Sequence, residues 1–305
     1  MLNPIRNIVV PTDFSASARA AMARAAVLAR PDGAAIHLVH AISVPKLFVP
    51  YEVSVPGAVW EAVQQAAEER LEEARKNLEA DGIASVTGSV VDVSDVTKAI
   101  REAVDANHAD LVVMGTQGQG KVRKAFFGST AADAVRSIYC PVIVVKEPAK
   151  AAAEAIRRIL VAVDSSADSD RAVDAATALA GRLDAAVDLV HAIEMPRAFL
   201  PSVYASALGV EIEQRMRDCG SELLEGAKRQ VADGGLVATL HGRPGQPPEV
   251  IAEVAKEIGC QLIVMGTRGN TGVSRLLIGS VAERTLRAAP CSVMTVTSKL
   301  PRDPD

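Results

Sequence analysis

GTQGQGKVRKAFFGST at residues 115–130 and GTRGNTGVSRLLIGSV at residues 266–281 decide how this chain is read. Each has a glycine, two residues, a second glycine, nine residues, then Gly-Ser. Each follows a short apolar run, LVVM at 111–114 and LIVM at 262–265, the pattern of a buried parallel strand. Ser129 and Ser280 stand where a helix N-cap is expected. Strand, glycine loop and helix N-terminus together form an anion-binding arrangement, because unpaired N–H groups and the positive helix end both favour phosphate. Glycine permits positive φ and lets phosphate oxygens approach the backbone with no β-carbon in the way.

The repetition extends outward. Asp13 and Asp164, His40 and His191, Gly115 and Gly266, and Cys140 and Cys291 are each 151 positions apart (164 minus 13, 266 minus 115). IRNIVVPTD at 5–13 matches IRRILVAVD at 156–164, and LVHAI recurs unchanged at 38–42 and 189–193. A period this long is a duplicated domain, not a solenoid repeat. The expected divisions are a first α/β domain over 1–147, a linker over 148–155, a second α/β domain over 156–298 and a polar tail over 299–305.

Within each half strand and helix patterns alternate. Strands are expected near 7–12, 34–41, 84–91, 110–114 and 141–146, with helices near 15–30, 58–81, 94–107 and 129–138; the second half repeats the series. Such alternation implies a parallel sheet with helices on both faces. With strand order 3-2-1-4-5, ligands bind where the winding reverses, between the carboxyl ends of strands 1 and 4. Strand 1 ends at Asp13 or Asp164, and strand 4 at Gly115 or Gly266. A carboxylate thus faces the glycine loop in both halves, able to accept a hydrogen bond from a ribose or a base. Ser15 and Ser166 are the expected caps of the helices that follow, which leaves the two aspartates for the ligand.

Composition narrows the function classes. Aromatic residues make up only 3 % of the 305, so the cores are built from Ala, Val, Leu and Ile, as suits parallel sheets under Ala-rich helices. A formal net charge of −4 argues against a general nucleic-acid surface. No apolar stretch reaches membrane-spanning length, and a first strand starting at Asn7 leaves no room for a signal peptide. A cytoplasmic location is expected. The four cysteines, Cys140, Cys219, Cys260 and Cys291, form no metal-ligand spacing and read as small apolar residues. His37 and His40 lie three apart on a strand, so they face opposite sides and share no metal.

Gly115 with Gly120-Lys121 nearly spells a Walker A loop, but Val122 replaces the magnesium-holding Ser/Thr and the second half has Thr271-Gly272 instead. Lys121, Arg123 and Lys124, and Arg268 and Arg275 in the second half, are candidates to offset phosphate charge. The segments at 43–57 and 194–209 match Pro45, Lys46, Phe48 and Pro50 with Pro196, Arg197, Phe199 and Pro201, either as a loop that covers the ligand or a partner surface or as a packed crossover.

The glycine loop, the strand-1 aspartate and the Leu-Val-His-Ala strand resemble the universal stress protein family in its tandem form, over nearly the whole chain, twice. The resemblance implies a 3-2-1-4-5 α/β fold and binding of ATP, with or without magnesium. It implies that Asp13 and Ala41 contact the adenosine, and that Gly115, Gly118, Gly128, Ser129 and Thr130 hold ribose and phosphates. In the second half the same roles fall to Asp164, Ala192, Gly266, Gly269, Gly279, Ser280 and Val281. Val281 lacks the hydroxyl of Thr130. The resemblance also implies that the halves pair as an intrachain pseudo-dimer, alone or in a homodimer of chains. The expected function is a nucleotide-dependent regulatory protein with at most slow ATP hydrolysis. The alternatives are an adenylating or phosphate-transferring enzyme and a nucleotide-free interaction scaffold.

Overall fold

The computed structural model describes residues 4–42, 57–93, 95–116, 128–194, 207–269 and 278–297. The segments at 43–56 and 195–206, Gly118 and the basic residues Lys121, Arg123, Lys124 and Arg275 lie outside these residues. The chain divides into two compact units, one ending at Ala155 and the other beginning at Ile156.

The first unit runs β1 (Asn7–Pro11), α1 (Ala16–Ala29), β2 (Ala35–Ile42), α2 (Gly57–Ala80), β3 (Val86–Asp92), α3 (Val96–Ala106), β4 (Leu111–Gly115), α4 (Ser129–Ser137), β5 (Val142–Val145) and α5 (Ala149–Ala152). Its five strands are ordered β3-β2-β1-β4-β5, and all its ladders are parallel. The second unit runs β6 (Arg158–Ala162), α6 (Ala167–Leu183), β7 (Ala186–Ile193), α7 (Ala207–Asp233), β8 (Ala238–Pro244), α8 (Pro247–Ile258), β9 (Leu262–Gly266), α9 (Ser280–Ala288) and β10 (Ser292–Val296). Its order, β8-β7-β6-β9-β10, is the same winding, again all parallel. Each half is thus a doubly wound 3-2-1-4-5 sheet.

The near-continuous apolar runs explain the central strands. Ile8, Val9 and Val10 of β1 and Val112 and Val113 of β4 have no exposed surface, nor have Ile159, Leu160 and Val161 of β6. Both faces of these strands are covered, so alternation is absent. The edge strand β3 is mostly exposed instead. Helix α1 buries Ala20, Ala21, Ala25, Ala26 and Ala29, and such small side chains let a helix lie close on a sheet that has few aromatic residues to fill a gap. Helix α2 buries Ala67, Leu71 and Leu78, one stripe at helical spacing, and leaves its charges in water.

The linker segment has structure of its own. Helix α5 packs on α1, held by Arg24, which is buried to 1 % exposure. Its guanidinium donates to Glu147 Oε1 at 2.6 Å and to the carbonyl of Glu154 at 3.0 Å. A buried guanidinium needs such partners, because unpaired it would carry the full desolvation cost.

Candidate functional site

Both clefts begin one residue beyond the first strand. Thr12 N–H donates to the Val39 carbonyl at 2.8 Å, and Val163 N–H to the Val190 carbonyl at 2.8 Å. The aspartate comes next. Asp13 Oδ1 accepts from the N–H of Ser15 at 3.0 Å; Asp164 Oδ1 accepts from the N–H of Ser166 at 2.9 Å and from its hydroxyl. This is the local turn that Asp forms two residues ahead of itself. The serines do the capping, Ser15 Oγ accepting from Ala18 N–H and Ser166 Oγ from Ser169 N–H. The aspartates are therefore not left wholly to a ligand, since one oxygen of each already holds the turn.

A histidine pair supports that turn from the neighbouring strand. His40 Nδ1 lies 2.7 Å from the Thr12 carbonyl oxygen, and His191 Nδ1 lies 2.8 Å from that of Val163. Phe14, at φ 61°, stacks on His40 with ring centroids 4.6 Å apart.

The loop glycines serve purposes that their spacing does not reveal. None of Gly115, Gly128, Gly266, Gly269 and Gly279 has positive φ, so positive φ is not what requires glycine at these positions. A β-carbon on Gly115 would lie 2.7 Å from the backbone of Ser17, and one on Gly266 would lie 2.8 Å from Asp168 Cβ. Both glycines exist to let the first turn of α1 or α6 press against the end of β4 or β9. A β-carbon on Gly279 would meet the Thr267 carbonyl oxygen at 3.0 Å, and one on Gly269 would meet Asp164 Oδ2 at 3.0 Å. Among these described glycines, Gly269 is the one that borders the carboxylate itself.

Helices α4 and α9 start one residue earlier than serine N-caps would place them. Gly128 and Gly279 occupy the N-cap position, at φ −64°, ψ 148° and φ −63°, ψ 147°, and neither makes a side-chain cap. Ser129 and Ser280 are the first helical residues rather than the caps. The reason is the closure of the loop, in which Gly128 N–H donates to the Thr116 carbonyl at 2.9 Å and Gly279 N–H to that of Thr267 at 2.8 Å. With glycine at the cap, no cap side chain satisfies the first-turn N–H donors, which suits them to an external anion.

These pieces converge on a cleft in each half, at the β1/β4 and β6/β9 switch points. The first has a cavity of about 270 Å³ and is lined by Asp13, Ala41, Gly115, Gly128, Ser129 and Thr130. The second has a cavity of about 420 Å³ and is lined by Asp164, Ala192, Gly266, Gly269, Gly279, Ser280 and Val281. Every expected site residue within the described part of the chain lies in its own cleft. One wall was missed from sequence: Val96, Ile100 and Met114 in the first cleft, and Pro247, Ile251 and Met265 in the second. The signal was there, since each pair keeps the 151-residue offset (247 minus 96). The arrangement offers an apolar wall for a flat ring, a carboxylate for hydroxyls and helix N–H donors for an anion, the mixture expected of a small-molecule cleft.

The clefts differ in their charges. Arg284 lines the second, its Nε 3.4 Å from the Ser280 carbonyl. The corresponding residue of the first half, Asp133, pairs instead with Arg136 at 2.9 Å. Arg268, a candidate to offset phosphate charge, also lines the second cleft, with its guanidinium already paired. Its Nε donates to Asp168 Oδ2 at 3.2 Å and its terminal nitrogen to Thr297 Oγ1 at 2.9 Å. Asp168, buried beneath Gly266, also accepts from the Thr267 hydroxyl at 3.2 Å. Among the described residues no three His, Cys, Asp or Glu side chains group as a metal site, and no helix is long and apolar enough to cross a membrane.

Known proteins resemble this chain in sequence and in fold. The sequence profile of the Universal stress protein family matches residues 4–146 and again 155–297. Universal stress protein YxiE of Bacillus subtilis is 33 % identical over 144 residues, 46 % of this chain and 97 % of that protein. A putative universal stress protein of Staphylococcus haemolyticus is 34 % identical over 151 residues, 48 % of this chain and 88 % of its own. Such relatives correspond in length to one half. Among solved structures, a universal stress protein from Archaeoglobus fulgidus superposes with a TM-score of 0.69 at 21 % identity, covering 96 % of each chain. A putative universal stress protein from Pseudomonas aeruginosa gives 0.63 at 21 % identity, over 96 % of this chain and 93 % of that one. At such identity the likeness is one of fold. With the family profile matched twice, across nearly the whole length, this chain belongs to the universal stress protein family and carries its domain in tandem.

Proposed function

We propose that the chain is a cytoplasmic regulatory protein of the stress response whose clefts bind ATP or another adenine nucleotide. The observation that carries this reading is the convergence, in both halves, of a strand-end carboxylate, an apolar wall and an uncapped helix N-terminus on one cleft. The apolar wall suits a base. Asp13 or Asp164 suits a ribose hydroxyl, which would donate to the carboxylate. The first turns of α4 and α9, with Ser129, Thr130 and Ser280, suit the phosphates. Bound magnesium would neutralise phosphate charge.

A binding role is favoured over a phosphoryl-transfer enzyme by what the charged groups are already doing. Such an enzyme needs a carboxylate on the metal and a cation at the developing charge. Near the second cleft the buried carboxylate of Asp168 and the guanidinium of Arg268 hold each other. Calorimetric titration of the purified chain with ATP tests the proposal. Saturable binding with at most two sites per chain is expected; no heat and no protection at millimolar ATP would overturn it.

A further inference from the structure

The second half contains a feature outside the lining of its cleft. Cys260, just before β9, and Cys291, just before β10, are both buried, and their sulfurs lie 3.6 Å apart. The two strands are adjacent and parallel, with Leu262 beside Ser292, so the pairing of the sheet holds the two thiols side by side. The first half lacks the pair. Cys140 matches Cys291, but Ala109 stands where Cys260 would be (260 minus 151).

We propose that Cys260 and Cys291 form an oxidisable dithiol, a modification site confined to the second half. A peroxide is the oxidant. One thiol attacks it to give a sulfenic acid and one water or alcohol; the second sulfur then displaces that hydroxyl group, forming the S–S bond and releasing water. Two hydrogens leave the protein and the peroxide O–O bond is reduced. The first step is slow at a buried thiol. The second is intramolecular, with the attacking sulfur already in contact, so a sulfenic acid formed here is captured at once. The sulfurs must close from 3.6 Å to a bond of about 2.05 Å. The 30 residues between the two thiols (291 minus 260, less one) include Gly266, Gly269, Gly279 and Ser280, so the bond would tie together both ends of the segment that forms one wall of the second cleft. This inference stands independently of the nucleotide reading.

The test treats the full-length chain with hydrogen peroxide, denatures it in an alkylating agent and maps the thiols by mass spectrometry. The expected result is a Cys260–Cys291 linked peptide, two hydrogens lighter than the reduced pair, with Cys140 and Cys219 in other states. Cys219→Ser should retain the link and Cys260→Ala should lose it. Recovery of Cys260 and Cys291 as alkylated thiols under conditions that oxidise exposed Cys219 would overturn the proposal. So would links that join either of them to Cys140 or Cys219.

Discussion

His40 donates its Nδ1–H to the carbonyl oxygen of Thr12 at 2.7 Å, and His191 does the same for Val163 at 2.8 Å. A carbonyl oxygen only accepts, so the proton must sit on Nδ1 in each ring. The bond ties β2 to the end of β1, or β7 to the end of β6, and the next residue is the cleft aspartate. Replacing either histidine by alanine should lower stability by about 0.5–1.5 kcal/mol, the usual net worth of such a bond. It should also weaken nucleotide binding several-fold at its own cleft alone. Denaturant midpoints and calorimetry measure the two effects. Lower stability with unchanged affinity would confine the histidine to holding the fold.

Two glycines make opposite forecasts. A β-carbon on Gly115 would lie 2.7 Å from the Ser17 backbone, which cannot rotate away, whereas one on Gly181, within α6, would meet nothing within 4 Å. Gly115→Ala should therefore destabilise by about 1–3 kcal/mol through overpacking. Gly181→Ala should stabilise by about 0.4–1 kcal/mol, because it restricts the unfolded chain at no native cost. Thermal unfolding decides both; a neutral Gly115→Ala would mean that α1 can shift off the sheet.

The aspartates call for a variant pair rather than a single deletion. Asp13 and Asp164 each use Oδ1 to hold the turn through the N–H of Ser15 or Ser166. Alanine removes both the turn and the ligand contact. Asparagine keeps an acceptor oxygen for the turn but removes the charge. Asp13→Asn and Asp164→Asn should leave the melting temperature nearly unchanged while weakening nucleotide binding by about ten- to a hundredfold, the worth of a charge-assisted hydrogen bond. Equal affinity in the asparagine variants would make the carboxylate a turn-holder only.

The sequence repeat made the topology legible, since paired runs such as LVVM and LIVM with their glycine loops require the same strand–loop–helix unit twice. Legibility ended where the physics is long-range. The segment around Ala149–Ala152 reads as a linker, yet it is helical because Arg24, over a hundred residues earlier, reaches Glu147 and the Glu154 carbonyl. The need for Gly115 was visible, but its neighbour Ser17 was not, because a close approach between two elements leaves no mark on either one alone. The apolar wall of Ile100 and Ile251 comes from helices whose local pattern shows only which side is buried.

The last prediction concerns turnover. The groups that line the clefts, helix N–H donors with Ser129, Thr130 and Ser280, would hold phosphate in its ground state. Holding substrate and transition state alike does not accelerate the chemical step. Arg268 is held by Asp168 and Thr297, and Asp168 by Arg268, Arg171 and Thr267, so neither is set aside for a phosphate or a metal. ATP hydrolysis should therefore fall well below the enzyme range of roughly 1–1000 per second, so that bound nucleotide persists as a state rather than as a substrate. Steady-state phosphate release by the purified chain checks this. An Asp13→Ala, Gly269→Val double variant serves as the contamination control, since a side chain at Gly269 would intrude on Asp164 Oδ2. Release faster than about one per second that disappears in the double variant would make the protein an ATPase and displace the regulatory reading.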